Sequence, residues 1–159
     1  MTKTEWQTCS DPQAMLAFLG SAATERKRDL LRRTWHLQIV DYAGPFGAPA
    51  EIDDEYQQQT QDWIRECHSD ECNRIRCMFN PFSSAGVDYA GDSTIVRPLA
   101  EAAYENLNFA TGELEWDRLA VLSDALEEFD FHPDLSSHLR DSASHWRGCW
   151  AVDLILGLS

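Results

Sequence analysis

The chain has no apolar run of the roughly 20 residues needed to cross a bilayer. Its longest apolar stretch near an end, Leu154-Ile155-Leu156-Gly157-Leu158, is far shorter. The opening MTKTEWQTCS lacks the apolar segment and small-residue cleavage site of a secretory signal. The expectations are a cytoplasmic location and no membrane partner. Cys9, Cys67, Cys72, Cys77 and Cys149 are then expected as reduced thiols, and their odd number argues separately against a complete disulfide framework.

Basic residues are also scarce. Thirteen Lys and Arg stand against 27 Asp and Glu, a formal net charge of −14. Such a field repels phosphate and argues against direct nucleic-acid binding. It would suit a protein partner with a basic surface, and it equally serves plain solubility. The one basic segment, Arg26-Lys27-Arg28 followed by Arg32-Arg33, reads as a solvated helix face, with Asp29 placed to pair with Arg33 one turn on. No G-x-S-x-G elbow, internal repeat or low-complexity tract occurs, and only VDLILG (152–157) could pass for a strand.

What is present is helical periodicity. Forty-three per cent hydrophobic residues and six Trp in 159 residues give a globular chain of about one domain. Ser10-Asp11-Pro12 starts a helix that Gly20 stops. Ser21 is placed to cap a second, to about Tyr42, ended by the linker AGPFGAPA at 43–50. A third pattern runs from about Ile52 to Phe79, where Asn80-Pro81 stops it, with a break expected, if anywhere, at His68-Ser69-Asp70. A loop at 83–92 precedes a fourth helix to about Asn106, with Ile95, Leu99, Ala102 and Ala103 inside and Pro98 in conflict with its interior. Three more follow: about 114–129, 133–140, and a last one starting near Ser142 or Ser144. The fold class is all-α, a compact non-repeat bundle of about six to seven helices. It reads as a single domain, 1–159, with a sub-division into an N-terminal helical pair (1–50) and a main core (51–159).

The opening TEW…CSDP…ML-x-FL, the WHL of Trp35 to Leu37, the turn at Asn80 to Phe82, IVRPLAEAAYE, DRLAVLSDALEEF and the ending HWRGCWAVDLILG together resemble a family of uncharacterised small proteins abundant in planctomycete-type bacteria. The likeness spans nearly the whole chain and is best from Arg74 onward. The family has no established activity, so it implies a fold boundary and little else. Members often carry two Cys before the arginines that precede WHL, and a Cys after the residue matching His138. This chain has Asp29-Leu30-Leu31 and Leu139 there, so a metal site built on those cysteines loses ligands.

Four residue sets invite a chemical reading. Cys67, His68, Cys72 and Cys77 have zinc-ligand types, but on one helix successive Cys lie about 500° apart and spread round the cylinder. Only His68 and Cys72 share a face, as half a site. In a second set, His145 and Cys149 stand four residues apart, a chelating pair on a helix, and His138 can approach across the short turn. Zinc is the ion either set would take; packed thiols and a hydrogen-bonded histidine are the plain alternative, and no cofactor is otherwise expected. Third, Ser83, Ser84, Cys77 or Cys149 beside a His would make a nucleophile, with no motif to support it. Fourth, Trp146, Arg147 and Trp150, among many Trp, suggest an interaction surface. The leading expectation is a small acidic interaction or regulatory module rather than an enzyme. The alternatives are an acidic decoy for a nucleic-acid-binding protein and a metal-dependent enzyme using His138, His145 and Cys149.

Overall fold

Short polar side chains and prolines open most of the helices, and the turns after them close the ends. The computed structural model describes residues 1–42, 54–84, 93–108, 111–141 and 143–158. The 43–50 linker, most of the 83–92 loop and the side chains of Trp35 and Trp63 lie outside what is described. Eight α-helices occur among the described residues: α1 (Lys3–Thr8), α2 (Pro12–Leu19), α3 (Glu25–Tyr42), α4 (Asp54–Met78), α5 (Ser93–Glu105), α6 (Trp116–Glu128), α7 (Pro133–Leu139) and α8 (Trp150–Leu156). The fold is all-α. Extended pairing among these residues is limited to isolated bridges, Leu107 with Leu114 and Glu113 with Trp146. No described helix is long and apolar enough to cross a membrane. The chain forms two compact units, Met1–Ile75 and Arg76–Ser159, so the division falls inside α4 rather than at residue 50.

In the first unit the additional helix is α1. Thr2 and Glu5 form a reciprocal capping box, with Glu5 N–H donating to Thr2 Oγ1 (3.2 Å) and Thr2 N–H to Glu5 Oε2 (2.7 Å). That lets six residues form a helix and bury Trp6. Asp11 caps α2 by accepting from Gln13 and Ala14, with Pro12 in first position. Ser21 does not cap α3. Gly20 (φ 50°) turns the chain into a single 3₁₀ turn, Gly20–Ala22, and Thr24 accepts from Lys27 N–H instead. The basic segment is tied down locally. Arg33 pairs with Asp29 (2.9 Å), Arg32 with Glu25 (3.3 Å), and Arg28 donates to the carbonyls of Gly20 and Ala23. α4 is continuous, without a break at 68–70.

The second unit holds the end of α4 and everything after it. Asn80 accepts from Phe82 N–H through its side chain and from Ser83 N–H through its carbonyl, closing the turn that Pro81 imposes. Phe82 is half-buried there rather than pinned in the core, which takes Met78 and Phe79 instead. Helix α5 keeps Pro98 in its interior and accepts the lost hydrogen bond. Its buried stripe is Val96, Ala100 and Ala103; Ala103 is inside as expected, whereas Leu99 and Ala102 are half-buried and Ile95 is 46% exposed, one residue round from Val96. Both stripes have the same spacing, so periodicity alone could not choose between them. Helix α6 buries Leu119, Leu122 and Leu126 and packs against α5 and α7, while α5 also packs against α8. Ser123 Oγ donates to the Ser136 carbonyl (3.1 Å, buried), and Arg140 reaches Asp124 and Glu127, which clamps α7 onto α6.

One carboxylate in α4 carries a pH signature. Burial pushes Glu71 up to about 7, only partly opposed by Arg74 one turn on, and its Oε2 is buried without a hydrogen-bond partner. A raised acid holds its proton in the folded state while the unfolded chain ionises. Its contribution is therefore fully present below about pH 4.5 and is lost as pH rises through about 7. Glu71→Gln should match the parent at pH 4.5 and exceed it by about 1 kcal/mol at pH 8, a figure reduced for the group's partial exposure. Urea unfolding at both pH values checks this; parallel pH profiles for the two proteins would refute it.

Candidate metal centre

The geometry of the second unit brings four soft donors together from three chain segments. Cys77 lies in the last turn of α4, His138 in the last turn of α7, and His145 and Cys149 flank the turn that precedes α8. One ligand atom from each lies within 4.8 Å of all the others. Cys149 Sγ is 3.3 Å from His138 Nε2 and 4.0 Å from His145 Nδ1, and Cys77 Sγ is 3.7 Å from the same Nδ1. Cys77, His145 and Cys149 are buried and His138 is half-buried.

Local structure holds each donor. The α7 helix begins at Pro133 with His132 as its cap and buries Leu135 and Leu139, which sets His138 on the adjoining face. The His138 ring is packed at 5.2 Å against Trp150 and edge-on at 4.8 Å to His145. The His145 carbonyl accepts from Leu114 N–H (2.7 Å), tying the segment to the 107–114 bridge. Trp146 N–H points at Cys77 Sγ (3.5 Å), an N–H···S contact that favours thiolate. Cys149 N–H then donates to the Trp146 carbonyl (2.9 Å), and Gly148, at the third position of that turn, has φ 94°. That turn is why α8 starts at Trp150 and not near Ser144. His145 and Cys149 meet through the turn, not through the helical i, i+4 spacing read from the sequence.

Burial by itself would push the Cys149 thiol up. The Cys77 side chain, the charge on His138 and hydrogen bonds from His138 and His145 outweigh it, and hold Cys149 well below the usual thiol range. Burial likewise works against a charged His145, yet the Cys149 sulfur and then the Asp141 backbone and carboxylate raise it on balance. The fold thus favours thiolate at Cys149, the metal-binding form of a thiol, while the proton it favours on His145 would have to leave before that ring could bind an ion.

The residues fit one tetrahedral ion. Metal–sulfur bonds near 2.3 Å and metal–nitrogen bonds near 2.0–2.1 Å put S and N donors about 3.6 Å apart round a tetrahedron. Three of the four S···N separations, 3.3, 3.7 and 4.0 Å, bracket that edge, and the fourth lies within 4.8 Å. Two thiolates and two imidazoles suit Zn²⁺ and not Mg²⁺ or Ca²⁺, which take oxygen. A two-iron cluster would hold its Cys and His pairs further apart than a common 4.8 Å sphere.

The other sequence-derived sites do not converge. His68 is exposed and Cys72 is buried on α4, and among the described residues no third His, Cys, Asp or Glu joins them. Trp146 and Trp150 are only 6% and 7% exposed, packed beside the centre rather than presented at the surface. Arg147 is also engaged, lying over the Tyr104 ring and donating to its carbonyl (3.1 Å). Ser84 Oγ does sit 3.0 Å from His132 Nε2. However, His132 Nδ1 accepts the Asp134 N–H as the α7 cap (3.2 Å), so the proton is on Nε2 and the ring cannot take one from the serine. Asp134 instead accepts from Ser83 Oγ (3.2 Å). Cys77 is the ligand that sequence reasoning assigned elsewhere, because its partners lie 61 to 72 residues further along the chain.

No protein-family model, curated protein or solved structure matches the chain. Gly148→Ala would force a side chain into the φ 94° turn. The expected loss is about 1–2 kcal/mol, read by urea unfolding, with weaker Co²⁺ binding in the same variant. Unchanged stability would show that the turn does not depend on glycine.

Proposed function

We propose that the chain is a zinc-binding helical protein in which Cys77, His138, His145 and Cys149 hold one Zn²⁺ and the ion is structural. The observation that carries this is the convergence of four ligand atoms within 4.8 Å, in a largely buried pocket built from three separate segments. Four protein donors fill a tetrahedron and leave no position for water or substrate, which is the pattern of a structural rather than a catalytic site. The metal-dependent enzyme reading, built on three of these residues and an open position, is weaker for that reason. When bound, the ion would supply cross-linking: it would fasten the end of α4 to α7 and to the turn before α8. A unit of 84 residues (76 to 159) gains proportionately from such a staple.

A chain purified without a tag should carry one zinc by native mass spectrometry, and Co²⁺ in its place should show the visible bands of a tetrahedral thiolate site. Zinc at 100 times its dissociation constant should stabilise the fold by about 2.7 kcal/mol. His138→Ala, at the half-buried ligand, should weaken zinc binding at least about 100-fold while leaving the helical circular dichroism intact. Failure of the parent to bind zinc or Co²⁺ after reduction would end this reading.

A second reading, binding of a protein with a basic surface, is supported by the charge of −14 and by Trp116, 58% exposed at the start of α6 between Glu115 and Asp117. Trp116→Ala should lower recovery of a native partner at low salt; equal recovery would set Trp116 aside as the contact.

A further inference from the structure

We infer that the four-donor centre is also a thiol switch: a hydroperoxide joins Cys77 to Cys149 as a disulfide and the ion leaves. The inference rests on the zinc reading for its consequence, but the bond itself depends only on the two sulfurs. Both lie inside the same 4.8 Å sphere, and they are the only thiols there. Cys9, Cys67 and Cys72 belong to the first unit. Because the site has just two anionic ligands, one S–S bond removes both. Two neutral imidazoles remain, too few to hold the ion against water.

The Cys149 thiolate attacks one oxygen of the hydroperoxide, the O–O bond breaks, and hydroxide (or alkoxide) departs, leaving a sulfenic acid. The Cys77 thiolate attacks that sulfur, the S–S bond forms, and a second hydroxide departs. Two thiolates are oxidised by two electrons, the peroxide is reduced by two, and zinc stays divalent. The half-buried ligand His138, 3.3 Å from Cys149 Sγ, marks the side from which solvent reaches the centre. Both sulfurs are buried, but Cys149 is the one in contact with the half-buried His138, which places it as the first thiolate to react and Cys77 as the resolving one.

The inference opposes what exposure alone would give. Cys9 and Cys67 are more exposed than either member of the pair. Burial, with Asp70 and Glu66 nearby, pushes the Cys67 thiol up and keeps it in the less reactive protonated form. The pair hidden in the pocket, with a resolving thiol at hand, should therefore oxidise before Cys67.

The test loads the full chain with one equivalent of Zn²⁺ and adds hydrogen peroxide at a few equivalents. Free zinc is followed with a chromophoric chelator, and thiol states by peptide mapping. Release should keep pace with a Cys77–Cys149 disulfide, run at least about tenfold faster than oxidation of Cys9 or Cys67, and reverse with a dithiol and fresh zinc. The triple variant Cys9→Ser, Cys67→Ser, Cys72→Ser should behave like the parent. Retention of zinc with both thiols intact would overturn the inference. So would release accompanied by sulfinic acid at Cys77 or Cys149, or a disulfide through any other cysteine. A chain that takes no zinc defeats the metal reading alone, and mapping the metal-free chain after peroxide then decides this one.

Discussion

The second unit depends on how four polar side chains can share one dry space. Each of Cys77, His138, His145 and Cys149 would be costly to bury alone, since an unpaired polar group out of water loses about 1–3 kcal/mol and a charged one more. Here they face one another, with three S···N separations of 3.3 to 4.0 Å and all four ligand atoms within 4.8 Å of one another. Weak thiol–imidazole hydrogen bonds satisfy such a group partially. An ion held by all four would satisfy it fully, and would convert the cost of burial into coordination that ties three segments together.

The surrounding structure is consistent with that demand. Ser123 and Arg140 clamp α7 to α6, the bridge at 107–114 holds the His145 carbonyl, and Trp150 backs the His138 ring. Trp146 and Trp150 are thus consumed as walls. The aromatic richness of the C-terminal segment, which on the sequence suggests a docking surface, is accounted for by the packing of the pocket.

Much of the helical architecture was legible because its signals are local. Asp11-Pro12, Asn80-Pro81 and His132-Pro133 mark boundaries through one residue's donors and one ring's fixed torsion. The Thr2-x-x-Glu5 box that starts α1 is equally local, with a helix of only six residues behind it. Where the reading slipped, two local solutions were equally good. Ala103 belongs to the expected and the buried set alike, but Ile95-Leu99-Ala102 has the spacing of Val96-Ala100-Ala103, and packing against α6 and α8 selects the second. The start of α8 was lost differently, because periodicity through Trp146 and Trp150 outweighed the single glycine, Gly148, that breaks it.

The candidate site shows the same boundary between local and non-local information. His138, His145 and Cys149 were grouped from proximity in sequence, and they do share the pocket, but through a turn rather than a helix face. Cys77 was grouped with the cysteines of its own helix, since no local pattern records that the end of α4 meets residues some 60 positions later. Composition misleads further at Ser84, His132 and Asp134, which have the residue types of a hydrolase and the proximity of one. There a single backbone N–H settles the matter. By donating to His132 Nδ1 it fixes the tautomer, makes the histidine a cap, and leaves Ser84 without a base. At the candidate centre the corresponding nitrogen, His145 Nδ1, is aimed at two sulfurs. The difference between a helix cap and a candidate ligand in this protein lies in which group the ring nitrogen is left to face.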